Sequence, residues 1–404
     1  MKKRLELYIH IPFCVKKCNY CDFLSFASDE QTQAEYTKSL VKEIEFYGER
    51  LGNYSVSTIF IGGGTPSWLS EQLLSDIMLT VYDCFDVEEN AEITIECNPG
   101  TVTRSKLERY KQLRINRLSI GLQSTEDEEL RHLGRIHTYD NFLKTYEMAR
   151  TAGFYNISVD LISCLPYQTA DRFAQTLNKV VRLKPEHISV YTLMIEKGTP
   201  FYDMYKFDVV KQEAGMATEI LPDEDEAFRI YKATTIVLQA AGYNQYEISN
   251  YCKPGFECQH NIGYWTRENY LGLGLGASSL VDNVRYSNTV DLFDYCSQVE
   301  DINLLERPEG IKTEWHGTNL HASAEPVSRK AQMEEFMFLG LRMNRGVSRF
   351  DFEKYFGISI DAIYRGVIDE LKAQELLIVK NGQIFLSEKG MDLSNYAMSR
   401  FLLT

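Results

Sequence analysis

Apolar positions in the first half of this chain follow two periods in turn. LELYIHI (5–11) alternates apolar and polar side chains every second residue, as a strand with one buried face does. TQAEYTKSLVKEIEFYGERL (32–51) spaces its apolar residues three and four apart, the stripe of an amphipathic helix. The pair of patterns then recurs. VSTIFIG (56–62) precedes a helical 71–85, and EITIEC (92–97) precedes a helical 104–114. RLSIGLQ (117–123) precedes two helical stretches, of which 138–153 is the clearer. SVDLIS (158–163) precedes a helical 170–183, and HISVYTL (187–193) makes a sixth strand. Repeated strand–helix units predict an α/β fold with a parallel sheet and right-handed crossovers. Six in series predict a barrel, closed or partly so.

Beyond residue 195 the rhythm loosens. PDEDEAF (222–228) leads into a helix ending near Ala241, followed by YNQYEISNYCKPGFECQHNIGYW (243–265) and the glycine-rich GLGLGASS (272–279). Residues 300–330 are polar and loop-like. From 331 three helical stretches precede LLIVKNGQIFLSEKG, a hairpin with an Asn-Gly turn. Helix, helix, helix, hairpin is the winged-helix order. The expected division is therefore 1–290 for the barrel, 291–330 for a linker and 331–404 for a winged-helix-like domain.

Charge decides between two uses of that last domain. The chain carries 43 Lys+Arg against 57 Asp+Glu, a formal net charge of −14. Such a body repels a phosphate backbone, so nucleic acid is not an expected partner and packing on the barrel is the favoured role. No stretch approaches the roughly 20 apolar residues that cross a bilayer. MKKRLELYIHIPF lacks the long apolar core and small-residue cleavage site of a signal peptide. Nine cysteines in 404 residues, three of them packed together, do not form the pattern of a secreted disulfide framework. The expectation is a protein of the reducing cytoplasm.

The unusual residues fall after the strands. FCVKKCNYCDF (13–23) follows the first, GGGTP (62–66) the second, ECNPG (96–100) the third, GLQS (121–124) the fourth and DLISCLP (160–166) the fifth. In βα barrels the active site is built at the carboxyl ends of the strands, so these loops should share one mouth. Cys14, Cys18 and Cys21, spaced C-x3-C-x2-C, suit a metal. Zinc would want a fourth ligand, for which His10 is a candidate, but paired C-x2-C spacing is missing. Three thiolates on a four-iron cluster leave one iron open, and this is the reading the spacing favours.

C-x3-C-x2-C after a first strand, followed by GGGTP, resembles the radical S-adenosylmethionine (SAM) enzymes. The resemblance implies a partial (β/α)6 radical SAM barrel, with a [4Fe-4S] cluster on Cys14, Cys18 and Cys21 and SAM chelated to the open iron through its amino and carboxylate groups. Electron transfer in that family can cleave SAM to methionine and a 5′-deoxyadenosyl radical. It further implies SAM contacts at Gly63, Gly64 and Thr65, with the methionine amino group at the glycines and paired to Glu96. Arg135 meets the carboxylate, Asp160 accepts from ribose hydroxyls, Gln123 lines the mouth, Tyr20 lies by the adenine and Tyr8 reaches SAM from strand one. Each has an ordinary alternative as a tight turn, a helix cap, a surface amide or a solvated charge. Their register after successive strands favours the site.

YIHIPFCVKKCNYCDF, GGGTPS, IECNPGT, LSIGLQS, LGRIHT and DLISCLP, in this order and with the tail, narrow the resemblance to the oxygen-independent coproporphyrinogen III oxidase group, over essentially the whole chain. Three features resemble its haem-chaperone branch. Phe23 stands where the oxidases carry a further cysteine, Cys14 lies close to the start, and HNIGYW (260–265) matches the H-N-x-x-Y-W motif associated with haem in that branch. The implied haem residues are His260, Asn261, Tyr264 and Trp265. The implied partners are haem and a haem-acceptor protein, membrane-associated or not, with a homodimer as a further expectation. No catalytic residue is assigned; oxidative decarboxylation of coproporphyrinogen III and radical methyl transfer are the alternative activities. From the residues alone, His260 reads as a haem ligand, a core histidine among aromatics, or a zinc ligand with Cys252 and Cys258. Cys164 and Tyr167 depart from the glycines common in the family and narrow the mouth on the substrate side.

Overall fold

A computed structural model describes residues 2–307 and 316–403. Six strands, β1 (Lys3–Ile11), β2 (Tyr54–Gly63), β3 (Val87–Cys97), β4 (Arg117–Gln123), β5 (Ile157–Ser163) and β6 (His187–Thr192), lie side by side in chain order and parallel. The crossover helices begin where a side-chain oxygen can take up an orphan backbone N–H. Asp29 caps Glu30–Gly48, Ser70 caps Glu71–Cys84, Thr103 caps Arg104–Gln112, Thr138 caps Tyr139–Thr151 and Thr169 caps Ala170–Arg182.

Period-two alternation sorts the strand residues into two layers. Leu5, Leu7, Ile9, Ile59, Ile61, Ile95, Ile120, Val159 and Leu161 are buried against the helices in one large core. The alternate positions face the barrel interior, and apart from Phe60 and the glycines most are polar: Glu6, Tyr8 and His10 on β1, Thr58 on β2, Glu92, Thr94 and Glu96 on β3, Arg117 and Ser119 on β4, Ser158 and Asp160 on β5, His187 and Ser189 on β6.

The barrel is partial. Beyond β1 the sheet continues with Tyr270–Leu273, parallel to it, and then three antiparallel strands ending with His321–Pro326. Beyond β6 come Asn250–Cys252 and Asn244–Gln245, both antiparallel. The helix Gln259–Thr266 closes the lumen at the amino ends of the strands. The expected linker, 291–330, is instead largely structured: helix Leu292–Glu300 packs on Glu30–Gly48, and His321–Pro326 is the edge strand of the barrel sheet. That edge strand, HASAEP, alternates only two alanines and buries none of its residues fully, so little in its pattern marks it. Residues 308–315 of the expected linker lie outside the described residues.

The carboxyl-terminal unit has its own core, around Met337, Phe352, Tyr364, Ile368, Leu371 and Phe401. Helices Arg329–Gly340, Arg349–Phe356 and Ile360–Ala373 precede a hairpin of Leu377–Lys380 and Gln383–Leu386. Asn381 (φ 53°) and Gly382 (φ 77°) form its turn, the left-handed pair that a two-residue hairpin loop demands. This unit is docked by charge as well as by apolar contact. Glu335 accepts from Arg267 Nε at 2.8 Å and from Arg285 Nη1 at 2.9 Å, and the Arg342 guanidinium lies 4.3 Å over the Trp265 ring. Arg267 is nearly buried, so Glu335→Ala would leave a cation without its partner. We expect a loss of about 2–3 kcal/mol, at the low end for a broken buried pair because Arg285 is half exposed. A lower melting temperature and faster proteolysis between the units would report it; an unchanged melt would assign the docking to the apolar contacts.

Candidate functional site

The three cysteines sit in the loop that follows β1. Cys14 is buried, Cys18 and Cys21 are half-buried, and none is in a disulfide. The loop is pinned on several sides. Gly64 N donates to Ile11 O and Thr65 N to Phe13 O, each at 2.8 Å, while Asn19 N donates to Leu133 O at 3.0 Å and Phe26 N to Pro12 O at 2.9 Å. Two donors are aimed at sulfur: Thr65 Oγ1 lies 3.5 Å from Cys14 Sγ and Arg135 Nη1 lies 3.7 Å from Cys18 Sγ. Hydroxyl and guanidinium donors are what thiolate ligands need, so this donor set fits a cluster. Among the described residues no three His, Cys, Asp or Glu side chains converge on a single ion. A cubane asks for something else, one thiolate at each of three separate irons. His10 is already engaged at both nitrogens, Nδ1 with Tyr8 Oη at 3.0 Å and Nε2 with Leu24 O at 2.9 Å.

Inside the mouth, the glycine run is required by space. Gly63 has φ 112°, and a Cβ there would lie 2.5 Å from the His10 ring; one on Gly64 would lie 2.8 Å from Phe13 O. Gly63 N donates to Glu96 Oε2 at 3.0 Å. Burial, with the Asp160 carboxylate nearby, pushes the Glu96 carboxyl up to about 8. Asp160 accepts from Ser119 Oγ at 2.6 Å and Ser158 Oγ at 2.9 Å. Tyr8 lies among them, its ring stacked on Phe60 at 6.4 Å.

A second group stands beside the cysteine loop. Arg135 Nη2 donates to Asn98 Oδ1 at 2.9 Å and to Gly121 O at 2.8 Å, and its buried Nε has no partner among the described residues. The Tyr20 hydroxyl lies beside that guanidinium, and the Tyr20 ring packs against Phe201 at 6.4 Å. Gln123, at φ 71°, turns its amide back over Gly121 toward Arg135. The expected SAM residues thus form two adjoining groups, Gly63–Glu96–Asp160–Tyr8 in the lumen and Arg135–Gln123–Tyr20 at its rim. Cys164 and Tyr167, both at φ 60°, take left-handed conformations that glycine adopts freely, which explains why glycine would suit either position.

The HNIGYW segment is elsewhere, at the floor. His260 is 1% exposed. Its Nδ1 pairs with Thr58 Oγ1 at 2.7 Å and its Nε2 with Tyr264 Oη at 2.9 Å, and its ring stacks on Phe60 at 5.2 Å. Burial, then the positive Arg117, hold the imidazole down to about 3, so it is neutral. Glu92 accepts from Gln259 N at 3.1 Å and His260 N at 3.2 Å, a carboxylate at a helix amino end. A Cβ on Gly263 would overlap the Glu6 carboxyl, which burial and the charges of Glu268 and Glu92 raise to about 9. In this conformation both His260 nitrogens are hydrogen-bonded, so ligation of haem iron through Nε2 would displace Tyr264. Trp265 faces the other way, toward the carboxyl-terminal unit, and Asn261 is half-buried. Cys252 and Cys258 form no three-ligand site with His260 among the described residues.

Several residues were not singled out from sequence: Thr58, Phe60, Asn98, Ser119, Ser158 and His187, which donates to or accepts from Ser158 at 2.9 Å. All but Asn98 sit at the alternate strand positions, so the period-two pattern carried the signal.

The radical SAM superfamily matches residues 8–180 and the HemN C-terminal domain matches residues 327–393. "Heme chaperone HemW" of Lactococcus lactis is 36% identical over 404 residues, spanning 100% of this chain and 98% of that protein. "Heme chaperone HemW" of Bacillus subtilis is 33% identical over 98% of each. The solved coproporphyrinogen III oxidase (HemN) of Escherichia coli superposes with a TM-score of 0.82 at 23% identity, over 99% of this chain and 90% of that one, a likeness of fold.

Proposed function

This chain belongs to the HemW haem-chaperone family of the radical SAM superfamily, and from that membership we propose that it binds haem and passes it to an acceptor protein. The observation that carries the reading is the full-length match together with one lumen that joins the cysteine loop at its mouth to the HNIGYW helix at its floor. Cys14, Cys18 and Cys21 hold the [4Fe-4S] cluster, which when bound supplies an iron open to SAM and a source of one electron.

The chain's own residues orient SAM. Glu96, held by Gly63 N, takes the methionine ammonium, and the glycine backbone lets that end approach closely. Asp160, aimed by Ser119 and Ser158, keeps lone pairs for ribose hydroxyls. Arg135 Nε, buried and unpartnered, offers a donor to the carboxylate. Haem is assigned to the Gln259–Thr266 end, with the Phe60 ring between His260 and Tyr8, so substitutions can address the two sites separately.

A paired anaerobic assay tests the reading. Haemin titration is expected to give saturable binding near one per chain, unaffected when Cys14, Cys18 and Cys21 are all alanine. Incubation with coproporphyrinogen III, SAM and a reductant should yield no vinyl product. Consumption of coproporphyrinogen III without haem binding would replace the chaperone with the oxidase.

A further inference from the structure

Helix Gln259–Thr266 has two working faces. His260 and Tyr264, one turn apart, close the lumen, while Ile262, Trp265 and Thr266 line the opposite side. There they bound a cavity of about 490 Å³, whose far wall is built by Phe336, Met343 and Tyr355 of the carboxyl-terminal unit. That volume is in the range of small-molecule sites, roughly 300–1,000 Å³.

We propose that this cleft between the HNIGYW helix and the carboxyl-terminal unit is where a planar, dianionic tetrapyrrole docks, with Tyr355 rather than His260 as the protein ligand to its iron. The inference rests on the chaperone reading and places its cargo. Four observations support it.

The cleft is walled by rings. Trp265 is fixed by the Arg342 guanidinium 4.3 Å over its face, and Phe336 and Tyr355 pack with centroids 6.1 Å apart. Aromatic walls suit a flat macrocycle. Second, the rim holds Arg4, Arg345 and Lys354, exposed and with no ion pair among the described residues. Three unpaired cations around one cavity run against a chain of net charge −14, and they match two propionates. Glu6, Glu268 and Asp351 also line the cleft, so its charges are mixed, and Arg345 and Lys354 are the exposed cations it offers to propionates. Third, Tyr355 is 68% exposed with a hydroxyl that makes no hydrogen bond among the described residues. A phenol is an established type of haem ligand; the O–H proton leaves to solvent as Oη binds ferric iron, with no change of oxidation state. Fourth, Trp265 Nε1 is buried without a partner among the described residues, a donor left unsatisfied in the wall of the cleft. His260 offers none of this, with both nitrogens occupied inside the lumen.

The test uses the full chain, haemin and metal-free protoporphyrin IX. Arg345→Glu with Lys354→Glu, both on exposed residues, should weaken haemin at least ten-fold and protoporphyrin similarly. Tyr355→Phe should move the haemin Soret band while leaving protoporphyrin affinity within two-fold. His260→Gln, checked for folding by its melt, should keep the wild-type Soret position. If His260→Gln moves the band and the Arg345, Lys354 and Tyr355 variants behave as wild type, the cleft is overturned and the chaperone reading stands. A wild type that binds no haemin overturns both.

Discussion

Cys18→Ala is expected to abolish the brown chromophore that the wild-type chain shows after reconstitution with iron and sulfide without oxygen. The wild type should hold about four irons, as a cubane requires, and the variant well under one, because two thiolates do not retain a cubane that already lacks a fourth protein ligand. Cys18 is the cleanest of the three positions. It is half-buried, in no disulfide, and among the described residues its thiol has one hydrogen-bond partner, Arg135 Nη1, so the substitution removes a ligand and little packing. Cys14 is buried beside Thr65, and its replacement would disturb the seam between this loop and the glycine run as well. Iron and sulfide analysis and the absorption spectrum read the effect, while an unchanged far-ultraviolet circular dichroism spectrum shows that the fold survives. A colourless wild type with one zinc per chain would sink the cluster. Haemin titration on the same variant adds a control, since the proposed haem cleft lies on the far side of helix Gln259–Thr266.

Most of the site could be read from the chain because its signals are local. Cysteine spacing, the glycine run and the carboxylates each follow a strand, and a parallel sheet brings the carboxyl ends of consecutive strands together whatever their sequence. Glu96 and Asp160, read in this way, face one lumen, close enough for the one charge to act on the other. What was missed depends on closure. The floor of the lumen is made by a helix more than 200 positions from Thr58 in sequence, and no local pattern says that His260 and Thr58 meet. Edge strands failed for a related reason. Asn244–Gln245 and His321–Pro326 are short or polar and stand at the ends of the sheet, where burial writes little alternation into the sequence. His260 shows the limit most directly. A histidine beside Tyr264 and Trp265 looks the same whether it awaits iron or is held at both nitrogens, and only the fold separates these cases.

Glu96→Gln is expected to stabilise the SAM-free protein and to weaken SAM binding at once. The Glu96 carboxyl titrates near 8 in the folded chain against 4.5 for the ordinary group. Below pH 4.5 both folded and unfolded chains hold the proton, and the site costs nothing. Between 4.5 and 8 the unfolded chain releases a proton that the folded chain keeps, so stability falls as pH rises across that window. The whole shift would correspond to ~5 kcal/mol at 1.36 per unit, but the carboxyl lines a lumen open to water, and on the order of 2 kcal/mol is the expected size. Glutamine fills the same space without the proton. The variant should therefore melt higher than wild type at pH 8 and alike at pH 4.5. Glu6 and Glu43, also raised by burial, tilt both proteins in common, so the difference between the two curves isolates Glu96. SAM reverses the sign. Its ammonium restores the charge balance that the carboxylate lacks, and losing that charged hydrogen bond should weaken binding by about 1.5–3 kcal/mol, roughly 10- to 150-fold. Asp160→Ala should weaken SAM by a similar factor, while leaving Ser119 and Ser158 to pair with water. Calorimetric titration of SAM into the reconstituted protein reads the affinity, and melts across pH read the stability. A Glu96→Gln protein that binds SAM as tightly as wild type would move the ammonium to another group. One with an unaltered pH slope would show that this carboxyl ionises in the folded chain as an ordinary one does.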